Sequence, residues 1–190
     1  NAASASLSAA YPGVALSADS VWDGGTTANA RARGIDVGAG GETISNSGQI
    51  NSTADATAAS VAVVAVVTGF AGGSAESTAN ANSVAIDASA GNDVDVIQNS
   101  GDLFTVANSD ALGVTASFAG TGVSVSTGAV WDGGSEATSS SQGIATGAGA
   151  DAIRNTGDIS STADADATEV AVAVSIMGIA GAVSTRAGGS

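Results

Sequence analysis

The sequence contains no cysteine, no lysine and no histidine, and these absences remove several classes of site. Without cysteine the chain has no disulfide framework and no thiolate ligand for a metal. Four arginines are the only basic residues against 18 acidic ones, which gives a net charge of −14. Repulsion from phosphate at that charge excludes nucleic acid as a partner and disfavours anionic membrane surfaces.

Large side chains and long hydrophobic runs are also scarce. Aromatic residues make up 3% of the chain, whereas alanine and valine dominate a hydrophobic fraction of 44%. Alanine and serine cannot fill a globular interior to normal density, so we expect a thin core between closely approaching backbones. The longest apolar stretch, residues 61–67 with their flanks, has the length of a strand. Because this run is too short to span a bilayer, we expect no membrane insertion.

The sequence repeats itself with a long period. The motif VWDGG at 21–25 returns at 130–134, and STADA at 52–56 returns at 161–165. A more divergent copy lies between these two, so the repeating unit has about 54 residues. The chain is therefore one array over residues 1–190, which we divide into a partial unit 1–33, units of about 34–85 and 86–143, and a partial unit 144–190.

Alternation with a period of two predicts strands between the turns. In ADADATEVAVAVSI the alternate alanines of 163–167 share one face, and Asp164 and Asp166 share the other. The apolar series changes phase near Glu169, where Val170 takes over, and this change predicts a bulge or corner. Helix is disfavoured although alanine is abundant, because no apolar stripe of helical spacing persists.

Short strands separated by glycine turns at a fixed spacing predict an all-β fold, a parallel β-solenoid or β-helix built from these repeats. The phase change suggests two coils of about 27 residues per unit, and one flattened coil with two long sides is the alternative. The corner has the pattern I-x-N-[ST]-G-x-[IL], with inward aliphatic residues expected to stack along the axis. The predicted corner residues are Ile44, Asn46, Gly48 and Ile50, then Ile97, Asn99, Gly101 and Leu103, then Ile153, Asn155, Gly157 and Ile159.

This corner, followed by Ala/Thr/Val alternation, resembles the repeats of large secreted bacterial surface proteins. These are the autotransporter passengers and the filamentous-haemagglutinin-like adhesins, which are right-handed parallel β-helices. The resemblance covers nearly the whole chain and implies an extracellular or cell-surface protein with a structural or adhesive role. The long alanine-rich strands and the length of the unit depart from that pattern.

Three glycine-rich turns have a weak resemblance to the G-x-G-x-D-x-U core of the calcium-binding RTX repeat. GAGADAI at 147–153 fits, GAGGETI at 38–44 carries Glu in place of Asp, and AGNDVDV at 90–96 matches in part. In RTX proteins calcium lies between tandem loops, whereas here each turn stands alone in its unit. The resemblance makes calcium a candidate ligand that the chain does not require; solvated outward carboxylates are the alternative. The candidate ligands are Glu42, Asp93, Asp95 and Asp151.

The repeated VWDGG motif carries both tryptophans of the chain, at Trp22 and Trp131, each followed by Asp23 or Asp132. A turn in which each tryptophan covers the end of the apolar layer is the favoured interpretation. A sugar-stacking or intersubunit contact is the alternative. Catalysis is disfavoured, because the carboxylates of the alternating strands have no histidine, no lysine and little aromatic surface beside them to hold a sugar.

The ends of the array carry no polar cap, and exposed strand edges recruit further β-structure. The chain also begins without an initiator methionine or a signal peptide, so we expect a processed product or a segment of a larger protein. The predicted function is an extracellular structural repeat protein, a filament, sheath or surface-stalk component. Its partners are further copies joined head to tail, or flanking repeats of the same giant chain. The alternatives are a bacterial surface adhesin on the same scaffold and, third, a polysaccharide-acting β-helix enzyme.

Overall fold

The computed structural model describes residues 1–18, 25–127, 134–183 and 187–188, and this part of the chain is all-β with no helix. The repeated turn at Trp22, Asp23, Trp131 and Asp132 lies outside the described residues. The strands are β1 (Ala2–Ala10), β2 (Gly13–Ala18), β3 (Thr26–Asp36), β4 (Thr43–Asn46), β5 (Ile50–Ser74), β6 (Ser77–Ala88), β7 (Val96–Asn99), β8 (Leu103–Thr127), β9 (Glu136–Thr146), β10 (Ala152–Asn155), β11 (Ile159–Val183) and β12 (Ala187–Gly188).

The chain passes through three sheets in the same order three times. The back sheet contains β3, β6 and β9, the corner sheet contains β4, β7 and β10, and the long sheet contains β1, β2, β5, β8, β11 and β12. All the pairings between these strands are parallel except that of β12, which lies antiparallel to β11 at two positions. Parallel pairing of strands from successive repeats follows from their sequence similarity, because equivalent residues then lie side by side.

The register of the pairing joins equivalent positions of neighbouring repeats. Ile44 pairs with Ile97, and Ile97 pairs with Ile153. Leu103 pairs with Ile50 on one side and with Ile159 on the other, so the predicted aliphatic ladders along the stacking direction are confirmed. In the described part of the chain, no strand pairs with one half a repeat away. The register therefore gives no support to two coils of about 27 residues per unit.

The long strands bend sharply about four-fifths of the way along. Ser124 donates from Oγ to the carbonyl oxygen of Ser117 at 2.8 Å, although seven residues of extended strand would span roughly 23 Å. The bend coincides with Gly122, whose φ is 129°. A Cβ there would lie 1.9 Å from the carbonyl oxygen of Gly69 in the preceding strand. Both the backbone angle and the close approach therefore require glycine at this position.

The phase of the long strands does not change at Glu169, and the predicted bulge there is wrong. Pairing of β11 with β8 runs without interruption from Ile159 to Ser175, with Glu169 opposite Gly113. Glu169 points inward and is 6% exposed, whereas Val170 points outward and is 43% exposed. The register imposed by the neighbouring strand thus overrides the hydrophobic pattern, and Gly113 has no side chain to occupy the inward position.

The core is as thin as the composition predicts. Buried alanines of the long sheet, such as Ala56, pack against buried alanines of the back sheet, such as Ala79. The sheets approach closely enough for side chains to bond across the core, because Ser83 donates from Oγ to the carbonyl oxygen of Ser52 at 2.8 Å. Alanine and serine thus fill this layer by shortening the distance between backbones.

Candidate interaction surfaces

The corner sheet is fastened by a ladder of asparagine side chains. Asn46 donates from Nδ2 to Oδ1 of Asn99 at 2.7 Å, and Asn99 donates to Oδ1 of Asn155 at 2.6 Å. Each asparagine also donates to the carbonyl oxygen of the glycine two residues further on, as Asn99 does to Gly101 at 2.7 Å. Asn99 is 2% exposed, so these bonds satisfy a buried amide. The predicted corner residues therefore come together, and each corner bonds to the next.

Glycine follows each asparagine because the corners touch through their backbones. A Cβ on Gly101 would lie 1.9 Å from the carbonyl oxygen of Gly48, and one on Gly157 would lie 2.1 Å from that of Gly101. No larger residue fits at either position without moving a strand. A Cβ on Gly48 would meet only Oδ1 of Asn46, at 3.9 Å, because β4 is the edge strand of the corner sheet.

The last repeat exposes side chains that the middle repeat buries. Ile97 and Leu103, in the middle repeat, are completely buried. Their counterparts in the last repeat, Ile153 and Ile159, are 51% and 46% exposed. Among the residues that the structure describes beyond β11, only the two-residue strand β12 covers an edge, at Asp166 and Ala167. The last repeat therefore presents an apolar and largely unpaired strand edge to solvent.

Three of the four predicted metal ligands, Glu42, Asp95 and Asp151, lie at equivalent positions of successive repeats, and two of them accept hydrogen bonds from backbone. Asp95 accepts from the backbone N–H of Glu42 at 3.0 Å, and Asp151 accepts from that of Asp95 at 3.0 Å. Asp93 is exposed beside them. Burial first, and then contact with Asp95 and Asp93, raises the pKa of Glu42 above its ordinary value. These carboxylates serve as caps for N–H groups at the start of the corner strands.

Metal coordination has no support from the arrangement of these groups. Among the residues that the structure describes, no group of three or more acidic side chains lies close enough to hold a metal ion. Two of the candidate carboxylates already accept hydrogen bonds from backbone. Calcium binding by these turns stays a prediction of the sequence.

A partly exposed ion pair at the end of the back sheet, in which only Asp87 is buried, was missed by the sequence reasoning. Arg33 donates from Nε to Oδ2 of Asp87 at 2.7 Å and from Nη1 to Oδ2 of Asp36 at 2.5 Å. Burial alone would raise the pKa of Asp87, but hydrogen bonds from the side chain and N–H of Ser89, with the charge of Arg33, hold it below the ordinary value. The stacked aspartates follow Ile35 and Ile86, and that shared position was the available signal.

The outer face of the long sheet divides into a polar and an apolar half. In the first half of each long strand, the outward positions carry such residues as Asp55, Asn108 and Asp164. Between this polar half and the bend, the outward positions of 59–65, 112–118 and 170–174 carry only Val, Ala, Leu and Phe. We name as the outer apolar band the alternate, outward residues of β1 and of 59–65, 112–118 and 170–174. A sequence analysis that kept a single inward–outward alternation through Glu169 would have predicted that the valines of this band face outward.

Comparison with known proteins gives this surface no precedent, because no protein family model, curated protein or solved structure matches the chain. In the described residues, no helix is long and apolar enough to cross a membrane.

Proposed function

We propose that this chain is an extracellular structural segment, a β-solenoid with one coil per repeat that continues end to end in a filament, sheath or surface stalk. Each coil takes one strand from the back sheet, one from the corner sheet and one bent strand from the long sheet. The work of the molecule is then mechanical, since its strength comes from continuous strand pairing along the axis.

The observation that carries this proposal is the contrast between the middle and the last repeat. Ile97 in the middle repeat is fully buried and Ile44 on the other edge strand is 7% exposed, whereas Ile153 in the last repeat is 51% exposed. A coil stacked on β9, β10 and β11 would bury the same positions and pair the same edges. Exposed apolar positions and unpaired strand edges of this kind recruit further β-structure, which supports end-to-end stacking.

The shape of the end of the array that carries β1 and β2 limits what can stack on it. β1 and β2 pair with the second half of β5, while β3, β4 and residues 50–57 are edge positions in the described structure. This end therefore has a step one strand deep, about 4.8 Å. When that step rests on β11 of another copy, a gap one strand deep remains over β9 and β10. Close end-to-end stacking therefore needs a further segment, one strand deep, to fill this gap.

The second candidate function is an adhesin that displays a binding face on the same scaffold. The observation in its favour is the outer apolar band, where Phe118 is 44% and Leu112 is 40% exposed on one face of the long sheet.

Association of the purified chain at rising concentration tests the proposal, followed by sedimentation and electron microscopy with calcium or chelator. The end-blocking variant is Ala173→Lys, whose position is inward and matches Ser117, which is fully buried in the middle repeat. A charge there stays hydrated at a free end but is buried by a further coil. We expect it to raise the concentration needed for association on the order of tenfold or more.

The matched control is Ser160→Lys, an outward position opposite Phe104, which is 37% exposed within the array. This change adds the same charge to the same strand and should leave end-to-end association intact. Short monomeric rods under every condition would contradict joining of copies and leave flanking repeats as the partner. If chelator alone dissolved the associated copies, calcium binding would be assigned to the glycine-rich turns.

A further inference from the structure

The corner of the last repeat has an open strand edge. We name as the last corner edge the free side of residues 151–159, which comprise β10, the corner and the first residue of β11. Among the described residues, β10 pairs only with β7, and β12 reaches β11 only at Asp166 and Ala167, beyond this segment. Ile153 and Ile159 are 51% and 46% exposed along it. The last corner edge therefore offers both unpaired backbone and apolar side chains.

We propose that the last corner edge is a recognition site for an extended segment of the pattern [DE]-x-I-x-N-[ST]-G-x-[IL], which adds to it as a parallel strand. Such a segment occurs at 95–103, where it stacks on the equivalent corner at 42–50. The contact is thus continuous with an interface that the array already contains, and it is a case of strand addition. The proposal rests on the end-to-end function proposed above and names the chemistry of the segment that fills the gap over β10.

The direction of the side-chain ladder requires asparagine at the fifth position of the segment. Asn46 donates to Asn99 and Asn99 donates to Asn155, so each amide donates towards the last repeat. Asn155 uses one Nδ2 hydrogen for the carbonyl oxygen of Gly157, at 2.7 Å. The other hydrogen, which in Asn99 goes to the following repeat, is left for an added segment. A side-chain amide oxygen accepts this bond, whereas alanine offers no acceptor.

The close approach of the backbones requires glycine at the seventh position. A Cβ on Gly101 would lie 1.9 Å from the carbonyl oxygen of Gly48, and one on Gly157 would lie 2.1 Å from that of Gly101. In both cases the residue of the later repeat meets the carbonyl oxygen of the earlier one. A segment added to the last corner edge meets the carbonyl oxygen of Gly157 in the same way, so only glycine fits there.

The first position of the segment supplies a carboxylate to a backbone N–H group. Asp95 accepts from the N–H of Glu42 and Asp151 accepts from that of Asp95, both at 3.0 Å, so each carboxylate caps the preceding repeat. The N–H of Asp151 is the equivalent group at the last corner edge. An acidic residue of the segment accepts from it, as a charge-assisted bond. Acidic groups therefore bond across this contact as they do inside the array, although the chain has a net charge of −14.

The opposite edge of the corner sheet, on β4, is a poorer site for the segment. Ile44 is only 7% exposed there, so strand addition would bury little more of it. A Cβ on Gly48, whose repeat has no earlier corner beneath it in the described structure, meets only Oδ1 of Asn46, at 3.9 Å. A segment on that side would likewise tolerate alanine at the seventh position. Selection for glycine thus distinguishes the last corner edge from the β4 edge.

Binding of a synthetic peptide to the full chain tests the proposal. The peptide has the sequence of residues 94–106 with blocked ends. The N–H groups of Ala152 and Thr156 donate to the preceding repeat, so those of Ile153 and Asn155 face the open edge, because alternate N–H groups of a parallel strand point to opposite neighbours. Exchange of these two amides with water, measured by NMR, should slow roughly tenfold or more at saturating peptide. We expect the amides of β4 to change less than about twofold.

Two variants of the peptide test which residues the site selects. Gly101→Ala places a Cβ against the carbonyl oxygen of Gly157, and we expect it to raise the Kd at least about tenfold. Gln98→Ala is the matched control, because Gln98 is exposed in the array and takes no part in the contacts described above. We expect this control to change the Kd less than about twofold.

The asparagine bond is tested from both sides of the contact. Asn99→Ala in the peptide should raise the Kd for the wild-type chain roughly fivefold. Asn155→Ala in the full chain should weaken binding of the unchanged peptide by a similar factor. The two changes together should cost little more than either one alone, because they remove the same bond. Urea unfolding of the Asn155→Ala chain verifies that it is folded.

Several results would overturn the proposal. Equal binding of the Gly101→Ala and Gln98→Ala peptides would show that the edge does not select the corner pattern, and additive losses in the asparagine cycle would exclude the amide bond. Unchanged exchange at Ile153 and Asn155 with about 1 mM peptide would reject the site. If chains associated end to end while the peptide left these amides unprotected, the proposed function would stand without this partner. If the peptide bound to chains that never associate, the recognition site would stand and the joining of copies would be rejected.

Discussion

The Asn99 side chain makes three hydrogen bonds, each to a different repeat or turn. It donates to the carbonyl oxygen of Gly101 and to Oδ1 of Asn155, and it accepts from Nδ2 of Asn46, all within 2.7 Å. The glycines two positions later let the corners approach closely enough for these bonds to form. Asparagine and glycine therefore act as one unit, which explains why they recur together.

Replacement of Asn99 by alanine should destabilise the fold more than the same change at the edge of the ladder. Asn99 is 2% exposed, so its loss removes both side-chain links between corners and leaves the carbonyl oxygen of the buried Gly101 without its donor, which costs about 2–3 kcal/mol. Asn46→Ala is the matched control, since Asn46 is only partly buried and water can replace its bonds, at a cost of about 1 kcal/mol or less. Urea unfolding measures both, and equal losses would contradict a dominant central link.

The long strand is the element that departs most from the sequence-based expectation. It is a single paired strand with one bend, placed by Gly69, Gly122 and Gly178, whose φ values are 128°, 129° and 147°. The expected break near Glu169 does not occur. A two-residue period specifies which residues share a face, but pairing with a neighbour decides where the phase is allowed to change.

Alanine at the bend should be far more damaging than alanine elsewhere on a long strand. Gly122→Ala combines a positive φ with a Cβ placed 1.9 Å from a carbonyl oxygen, and we expect a loss of roughly 3 kcal/mol or more. Gly181→Ala is the control, because a Cβ there meets nothing within 4 Å. Thermal or urea unfolding should show the control within about 0.5 kcal/mol of the wild type. A mild effect at Gly122 would mean that the bend can move.

The whole molecule is a stack in which each repeat depends on its neighbours. Of the corner strands only β7 has a partner on both sides in the described structure. Its Ile97 is fully buried, whereas Ile153 on β10 is 51% exposed. Stability in such an array is a sum of contacts between nearest neighbours, so the terminal repeats open first.

Hydrogen exchange should therefore resolve the repeats from one another. We expect amides of β10 and the start of β11 to exchange faster than those of β7 and the start of β8, by roughly tenfold or more. Mass spectrometry of peptides from these strands provides the measurement, at concentrations below and above association. Protection gained by β10 on association would locate the contact at that end. Equal exchange in dilute monomer would contradict stepwise opening.

Features that depend only on residue type and spacing could be predicted from the sequence, whereas features that depend on a neighbouring strand could not. The aliphatic positions, the asparagine–glycine corners and the thin core follow from repetition and residue size, because identical turns stack and small side chains admit close backbones. The ion pair of Arg33 with Asp87 could not be derived, since it joins strands whose register only the folded sheet sets. The same holds for the carboxylate caps at Asp95 and Asp151.

By itself, the sequence determined an all-β chain of repeated corners, with Asn46, Asn99 and Asn155 at equivalent positions. Those features are local or periodic, so residue type and spacing suffice to specify them. Only the tertiary structure decided that strands pair a full repeat apart and that Val170 and Val172 face outward. The side to which a strand's face turns is set by the strand beside it, because a shift of one residue reverses every side chain.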